Sequence, residues 1–97
     1  MTDEPPPPPV ALPIDGVLDL HTFRPAEIGD LVPAYLDQCR QLGILEVRLI
    51  HGKGIGNLQR SVHAMLAKRA DVARFGFASA SYGGRGATIV TLRPASA

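Results

Sequence analysis

The spacing of apolar residues changes twice along this chain from every second residue to every third or fourth. The first change lies between residues 17–21 and 25–42, and the second between residues 45–50 and 57–66. Alternation is typical of a strand, and the longer spacing is typical of an amphipathic helix. Two successive strand–helix units predict parallel strands joined by right-handed crossovers.

Two further strands are expected near the C-terminus. Residues 72–80 carry Phe75 and Phe77 in alternation, which predicts that both rings lie in the core, and residues 87–92 form a β-branched run. The predicted fold class is therefore α/β, a two-layer sandwich in the order β-α-β-α-β-β. A four-stranded mixed sheet would carry both helices on one face and leave the other open. At 97 residues, the chain is too short for a full Rossmann enzyme or a TIM barrel.

Proline complicates the first helix. Pro33 falls inside its stripe and removes a backbone donor. The pattern predicts a short helical turn over residues 25–29 and a break, with Asp30 capping the main helix. Asn57 is predicted to cap the second helix.

The first 13 residues differ from the rest. Pro5 to Pro9 form an unbroken run, which favours extended polyproline II. We interpret residues 1–13 as a disordered tail or spacer, with a docking segment for a protein partner as the alternative, and residues 14–97 as the domain.

Charge and composition indicate the kind of partner and the cellular compartment to expect. The formal net charge is +1, and the acids Asp3 and Glu4 lie in the tail, so the domain is mildly basic. This balance favours a polyanion as partner. The single Cys39 forms no internal disulfide, and neither a signal peptide nor an apolar stretch of membrane-spanning length is visible. We expect a cytoplasmic protein without membrane contact.

The glycine loop, His51-Gly52-Lys53-Gly54-Ile55-Gly56, is the strongest local motif. Glycines let backbone amides approach a ligand, and the helix that follows begins with unpaired donors. Phosphate binding by Gly52, Lys53, Gly54 and Gly56 is therefore favoured over a plain tight turn. Neither the Walker A pattern nor the dinucleotide fingerprint matches, which argues against a nucleotide cofactor.

Candidate catalytic residues come from two strand ends. Asp19 and His21 share one side of the first strand, and His51 ends the second. Two histidines can serve as general base and general acid on a phosphodiester, with the carboxylate orienting one of them. Without His51, a solvated polar pair would be the preferred interpretation of Asp19 and His21.

A second glycine-rich turn precedes the last strand. Within it, Arg85, Gly86 and Thr88 could bind phosphate, although a plain connection is equally favoured. Arg24 could extend the basic rim. His63 is interpreted as a bystander on the second helix.

The number and spacing of the acidic residues and the single cysteine argue against a preformed metal site. Structural zinc needs more Cys and His ligands at close spacing, and two-metal catalysis needs several convergent carboxylates. No cofactor is predicted with certainty. A weakly bound divalent ion such as magnesium, between Asp19 and a substrate phosphate, stays open.

Three ordered segments, Leu18-Asp19-Leu20-His21, the glycine loop and Gly83-Gly84-Arg85-Gly86-Ala87-Thr88, resemble the Smr domain. This small MutS-related module occurs at the C-terminus of MutS2 proteins and as free-standing bacterial proteins. The resemblance covers about residues 17–93. It implies a sandwich like the C-terminal domain of translation initiation factor three, nucleic-acid binding, and in several members endonuclease or nicking activity.

Within the family, the first-motif Asp and His and the glycine-rich second motif are the functional positions, here Asp19, His21 and residues 51–54. Many members have glycine after the first-motif histidine, whereas Thr22 follows here, as in a short free-standing subgroup. The expected function is an endonuclease acting on DNA or RNA. The alternative is a non-catalytic module that binds branched or single-stranded nucleic acid.

Overall fold

Strands and helices alternate along the chain as the apolar spacing predicts. The computed structural model describes residues 14–53 and 56–94. The proline-rich tail and Gly54 lie outside this range. The elements are β1 (Val17–Asp19), α1 (Pro25–Gln41), β2 (Glu46–Ile50), α2 (Asn57–Ala67), β3 (Val72–Phe77) and β4 (Ala87–Leu92), with 3₁₀ turns at Ala80–Tyr82 and Gly84–Gly86. The predicted β-α-β-α-β-β order is confirmed.

The four strands form one mixed sheet in the order β1-β2-β4-β3. β1 and β2 are parallel, whereas β4 runs antiparallel to both β2 and β3. In the register of the sheet, Asp19 lies beside Ile50, which lies beside Ala87. The carboxyl ends of β1 and β2 therefore meet the amino end of β4.

The core lies between this sheet and the two helices. Apolar residues of both helices and alternate residues of the strands form one cluster. Both helices therefore pack on the same face of the sheet, as predicted. The buried members include Leu18, Val32, Leu36, Val47, Leu49, Val62, Leu66 and Val90. Cys39 is also buried, and burial raises the pKa of its thiol.

The prediction of a break before Pro33 is wrong, because α1 runs unbroken from Pro25 to Gln41. An interior proline costs about 3 kcal/mol, but α1 buries five side chains on both sides of Pro33, each contributing roughly 1.5–3 kcal/mol. Gly29, four residues earlier, is exposed, so water can reach the carbonyl that Pro33 leaves without a donor. Asp30 is not the cap: the amide of Arg24 donates to Glu27 Oε1 at 2.8 Å, and α1 begins there.

Two smaller predictions also need correction. Gly56, in the left-handed region at φ +87°, caps α2, and Asn57 is its first residue. Phe75 packs against the core, but Phe77 is 42% exposed. The reason is that β3 is an edge strand, and alternation in a sequence does not distinguish an edge strand from a central one.

An ion-pair network joins α1 to the segment that leads into β3. Arg69 donates to both carboxylate oxygens of Asp71, at 2.8 and 2.6 Å, and to Asp37 on α1 at 2.7 Å. Arg40 on α1 lies 3.4 Å from Asp71. The guanidinium of Arg69 lowers the pKa of Asp71.

Among the described residues, no helix is both long and apolar enough to cross a membrane.

We predict that Asp71→Asn destabilises the domain by about 2 kcal/mol at pH 7, because a charge-assisted, largely buried pair is lost. The folded-state pKa of Asp71 is lowered, so its stabilisation is present above about pH 4, the unfolded value, and disappears as pH falls through the folded value. Urea unfolding at several pH values measures both effects. Asp37→Asn is the control, because it contacts the same arginine but its side chain is 58% exposed; it should cost less than about 1 kcal/mol. Equal losses of unfolding free energy in the two variants would contradict the larger contribution given to Asp71.

Candidate functional site

Three distant segments meet through backbone hydrogen bonds at one end of the sheet. The carbonyl of Gly86 accepts from the amides of His51 and Gly52, at 3.0 and 2.8 Å. The amide of Leu20 donates to the carbonyl of Ile50 at 2.8 Å. The segment after β1, the glycine loop and the turn before β4 are therefore adjacent.

Asp19 and His21 form an exposed pair at the end of β1. The ring of His21 contacts Asp19 Oδ1 through Nδ1, and the His21 amide donates to the same oxygen at 3.1 Å. The His21 side chain is 66% exposed and that of Asp19 is 42% exposed. The pair leaves Nε2 of His21 facing away from its carboxylate partner, in the arrangement that a general base or acid requires.

His51 does not join this pair. It is 6% exposed, and both ring nitrogens have partners: Nδ1 lies 3.0 Å from the Gly52 carbonyl oxygen and Nε2 lies 2.8 Å from Thr88 Oγ1. Its ring also lies 6.1 Å from that of His63 on α2, on the helix side of the sheet. Asp19 alternates with the core residues Leu18 and Leu20 and so has the opposite parity. The expectation that His21 and His51 act together on one phosphate is therefore not supported by the geometry.

Thr88, on β4, lies in the interior of the domain. Its side chain is fully buried, and its hydroxyl contacts Nε2 of both His51 and His63, at 2.8 and 2.7 Å. This corrects the expectation that Thr88 contacts phosphate directly. His63, interpreted from the sequence as a bystander, is half-buried and contacts this hydroxyl. The pKa of His63 is lowered by burial and by the neighbouring His51.

Lys53 and Arg85 are exposed cations, and the backbone of Gly86 lies close to both residues. A Cβ atom at Gly86 would lie 3.5 Å from Lys53 Cγ and 3.7 Å from Gly52 Cα, so the lysine stem passes beside this glycine. Arg85 precedes Gly86 and places its guanidinium carbon 5.2 Å from the Phe77 ring centroid. Phosphate, which binds both side chains well, is a suitable ligand for this pair.

Two residues of the glycine loop, Gly52 and Gly56, have backbone in the left-handed region. Gly52 has φ +83° and Gly56 has φ +87°, a region that L side chains rarely adopt. Between the first turns of α1 and α2 lies a cleft of about 670 Å³, with His51 and Gly52 in its lining. Arg24 is exposed and lies in sequence between Phe23 and Pro25, which both line the cleft.

The site offers few metal ligands. Within residues 14–53 and 56–94, no three His, Cys, Asp or Glu side chains cluster closely enough to hold an ion. Asp19 and His21 are the acid and imidazole at the exposed end of β1, so a divalent ion there would need water and substrate oxygens to complete its shell.

Two features of the site were missed by sequence reasoning. His63 borders the apolar stripe of α2, directly after Val62, and this position could have indicated contact with the sheet. Phe77 gave no such signal, because its exposure depends on strand order. It lies 5.3 Å from the ring of His63 and 6.5 Å from that of His51.

Comparison with known proteins places this geometry in a family. The family model described as "Smr domain" matches residues 18–93. Endonuclease MutS2 of Solidesulfovibrio magneticus is 39% identical over 77 residues, and that of Thermus thermophilus is 38% identical over 77 residues. Each alignment covers 79% of this chain but 10% of the relative, so the chain matches about a tenth of the length of these curated relatives.

Two solved structures share the fold. The crystal structure of the Smr domain of Thermus thermophilus MutS2 has a TM-score of 0.76 and 37% identity, covering 80% of this chain and 98% of that one. YdaL, a stand-alone small MutS-related protein from Escherichia coli, has a TM-score of 0.74 and 32% identity, covering 80% and 64%. With the fold, the three motifs and these matches in agreement, the chain belongs to the Smr domain family.

Proposed function

We propose that this chain binds nucleic acid and cleaves its phosphodiester bonds as an endonuclease. The observation that carries the proposal is the exposed Asp19–His21 pair, whose backbone adjoins the glycine loop. Groups suited to proton transfer and groups suited to anion binding thus lie at one end of the sheet. The relatives named Endonuclease MutS2 support this activity, although they are much longer proteins.

His21 is the proposed proton carrier. With Nδ1 held by Asp19, Nε2 is free to take a proton from the attacking hydroxyl as the oxygen–phosphorus bond forms. The carboxylate of Asp19 stabilises the imidazolium that results. The bond from phosphorus to the leaving oxygen then breaks, and that oxygen takes up a proton from His21 or from water.

The proposed anion binders are Lys53 and Arg85, with the amides of the glycine loop and the amino ends of α1 and α2 as secondary contributors. His21 makes no hydrogen bond or ion pair with Lys53 or Arg85 within the described part of the chain. A polymer presents successive phosphates, so the cleavage pair and the two cations need not touch the same one.

The attacking group distinguishes the two substrate classes. RNA carries a 2′-hydroxyl beside each phosphate, so a single base can activate an internal nucleophile. DNA requires an activated water, for which a divalent ion beside Asp19 would help. With one imidazole exposed at the end of β1, the geometry favours RNA or a metal-assisted reaction on DNA.

A second candidate function is nucleic-acid binding without cleavage. The exposed ring of Phe77, with Arg85 above it, favours this candidate. An aromatic ring and a guanidinium can stack on unpaired bases and contact phosphate without any proton transfer. The two candidates share the binding surface and differ in the role of Asp19 and His21.

We predict that Asp19→Ala and His21→Ala each lower cleavage at least a hundredfold, in line with the loss of a general base, while affinity changes less than about threefold. The assay uses labelled supercoiled DNA and structured RNA, with magnesium and with a chelator. Asp30→Ala is the matched control, because Asp30 is an exposed acid on α1 outside the site. Unchanged cleavage in the Asp19 and His21 variants would exclude them from catalysis, and a wild-type protein that binds without cutting would establish the second candidate.

We predict that Lys53→Ala weakens binding to unrelated sequences about equally and reduces the salt dependence by about one counterion. Fluorescence anisotropy across a salt series measures the slope. Lys68→Ala is the control, because Lys68 is an exposed lysine at the opposite end of α2. A changed sequence preference with an unchanged slope would contradict a phosphate contact by Lys53.

A further inference from the structure

Four polar contacts run in series behind the glycine loop. The side-chain amide of Gln59 lies 3.0 Å from Nδ1 of His63, and Nε2 of His63 lies 2.7 Å from Thr88 Oγ1. Thr88 Oγ1 lies 2.8 Å from Nε2 of His51, and Nδ1 of His51 lies 3.0 Å from the carbonyl oxygen of Gly52. The series, called here the histidine chain, links α2 to the loop through β4.

The chemistry of its last acceptor gives the histidine chain one direction. A backbone carbonyl can only accept, so His51 carries its proton on Nδ1, and in the neutral ring Nε2 must accept from the Thr88 hydroxyl. The oxygen of Thr88 then accepts from Nε2–H of His63, which leaves Nδ1 of His63 to accept from the amide of Gln59. Every group takes a role that its chemistry allows.

Burial shields the Thr88–His51 contact at the centre of the histidine chain from water. Thr88 is fully buried and His51 nearly so, and the rings of Phe75 and Phe77 lie 4.9 and 5.3 Å from that of His63. A donor or acceptor that lost its partner here would not readily be satisfied by water. Burial and, to a smaller extent, the neighbouring His51 lower the pKa of His63, which favours the neutral ring that this direction requires.

The histidine chain ends on Gly52, a residue whose amide and carbonyl are both hydrogen-bonded. Gly52 donates its amide proton to the carbonyl of Gly86 at 2.8 Å and accepts from His51 through its own carbonyl. We propose that Thr88 and His63 are positioning residues, which fix Gly52 through His51 and so orient Lys53 for phosphate. The proposal deepens the proposed function and rests on it for the role of Lys53.

Nuclear magnetic resonance tests the histidine chain without any ligand. Long-range ¹⁵N–¹H spectra of the wild-type rings should show the proton on Nδ1 of His51 and on Nε2 of His63. In Thr88→Val, which removes the hydroxyl at almost constant volume, the His51 pattern should change and the Gly52 amide signal should shift. Thr88→Ser keeps the hydroxyl and should restore both signals.

Binding supplies the functional measurement. A labelled single-stranded oligonucleotide should bind Thr88→Val about tenfold more weakly than wild type, the loss expected when a hydrogen-bonded positioning contact is removed. Thr88→Ser should bind within twofold of wild type. Thr91→Val is the matched control, because Thr91 is on the same strand at the opposite parity; it should leave the ring spectra, the Gly52 signal and the affinity unchanged.

His63→Phe provides a second variant if Thr88→Val fails to fold. It removes the Nε2–H that orients the Thr88 hydroxyl, so the Gly52 signal should shift from its wild-type position and the oligonucleotide should bind more weakly than to wild type; a wild-type signal and affinity would contradict the proposal. Reversed ring protons, or a folded Thr88→Val with wild-type Gly52 signal and affinity, would overturn the proposal. A wild-type protein that binds no nucleic acid would refute the proposed function and with it the role given to Lys53, while the ring protons and the Gly52 amide would still decide whether the histidine chain fixes the loop.

Discussion

The carbonyl of Gly86 holds the site together. It accepts from two consecutive amides, those of His51 and Gly52, where β2 ends and the glycine loop begins. Backbone groups at a strand end need partners, and a single carbonyl has two lone pairs to offer. Lys53 and Gly52 lie beside Gly86, at ordinary contact distances from the position that a Cβ atom would occupy there. Both the exposed Lys53 and the buried His51 lie next to this junction.

The junction divides the functional side chains between two sides of the sheet. Asp19 alternates with core residues and lies at an exposed end, where its carboxylate contacts His21. His51 follows the core parity of Leu49 and lies beside Thr88 and α2. Alternation thus separates the exposed His21 from the buried His51, whose ring nitrogens contact Thr88 and Gly52. The same residue type has two different environments because parity and burial differ.

The order of the elements and the face that each strand buries could be predicted from periodicity, because period and burial are directly linked. The effect of Pro33 could not, since a local penalty was outweighed by burial of the whole helical stripe. Phe77 was misplaced because strand order, a long-range property, decides which strand forms the edge. The partnership of His51, Thr88 and His63 joins residues 25 or more positions apart, and no local pattern specifies such contacts.

A small domain has a physical reason to avoid a buried cluster of this kind. Two imidazoles and a hydroxyl lose their hydration on folding, and apolar side chains of similar size would pack between β4 and α2 without that cost. An apolar cluster could not, however, donate a hydrogen bond to the carbonyl of Gly52. Partners for all four ring nitrogens and for the Thr88 hydroxyl keep the cost low and give the arrangement a single direction. The cluster therefore adds to the fold what packing alone cannot, a defined orientation for the peptide that precedes Lys53.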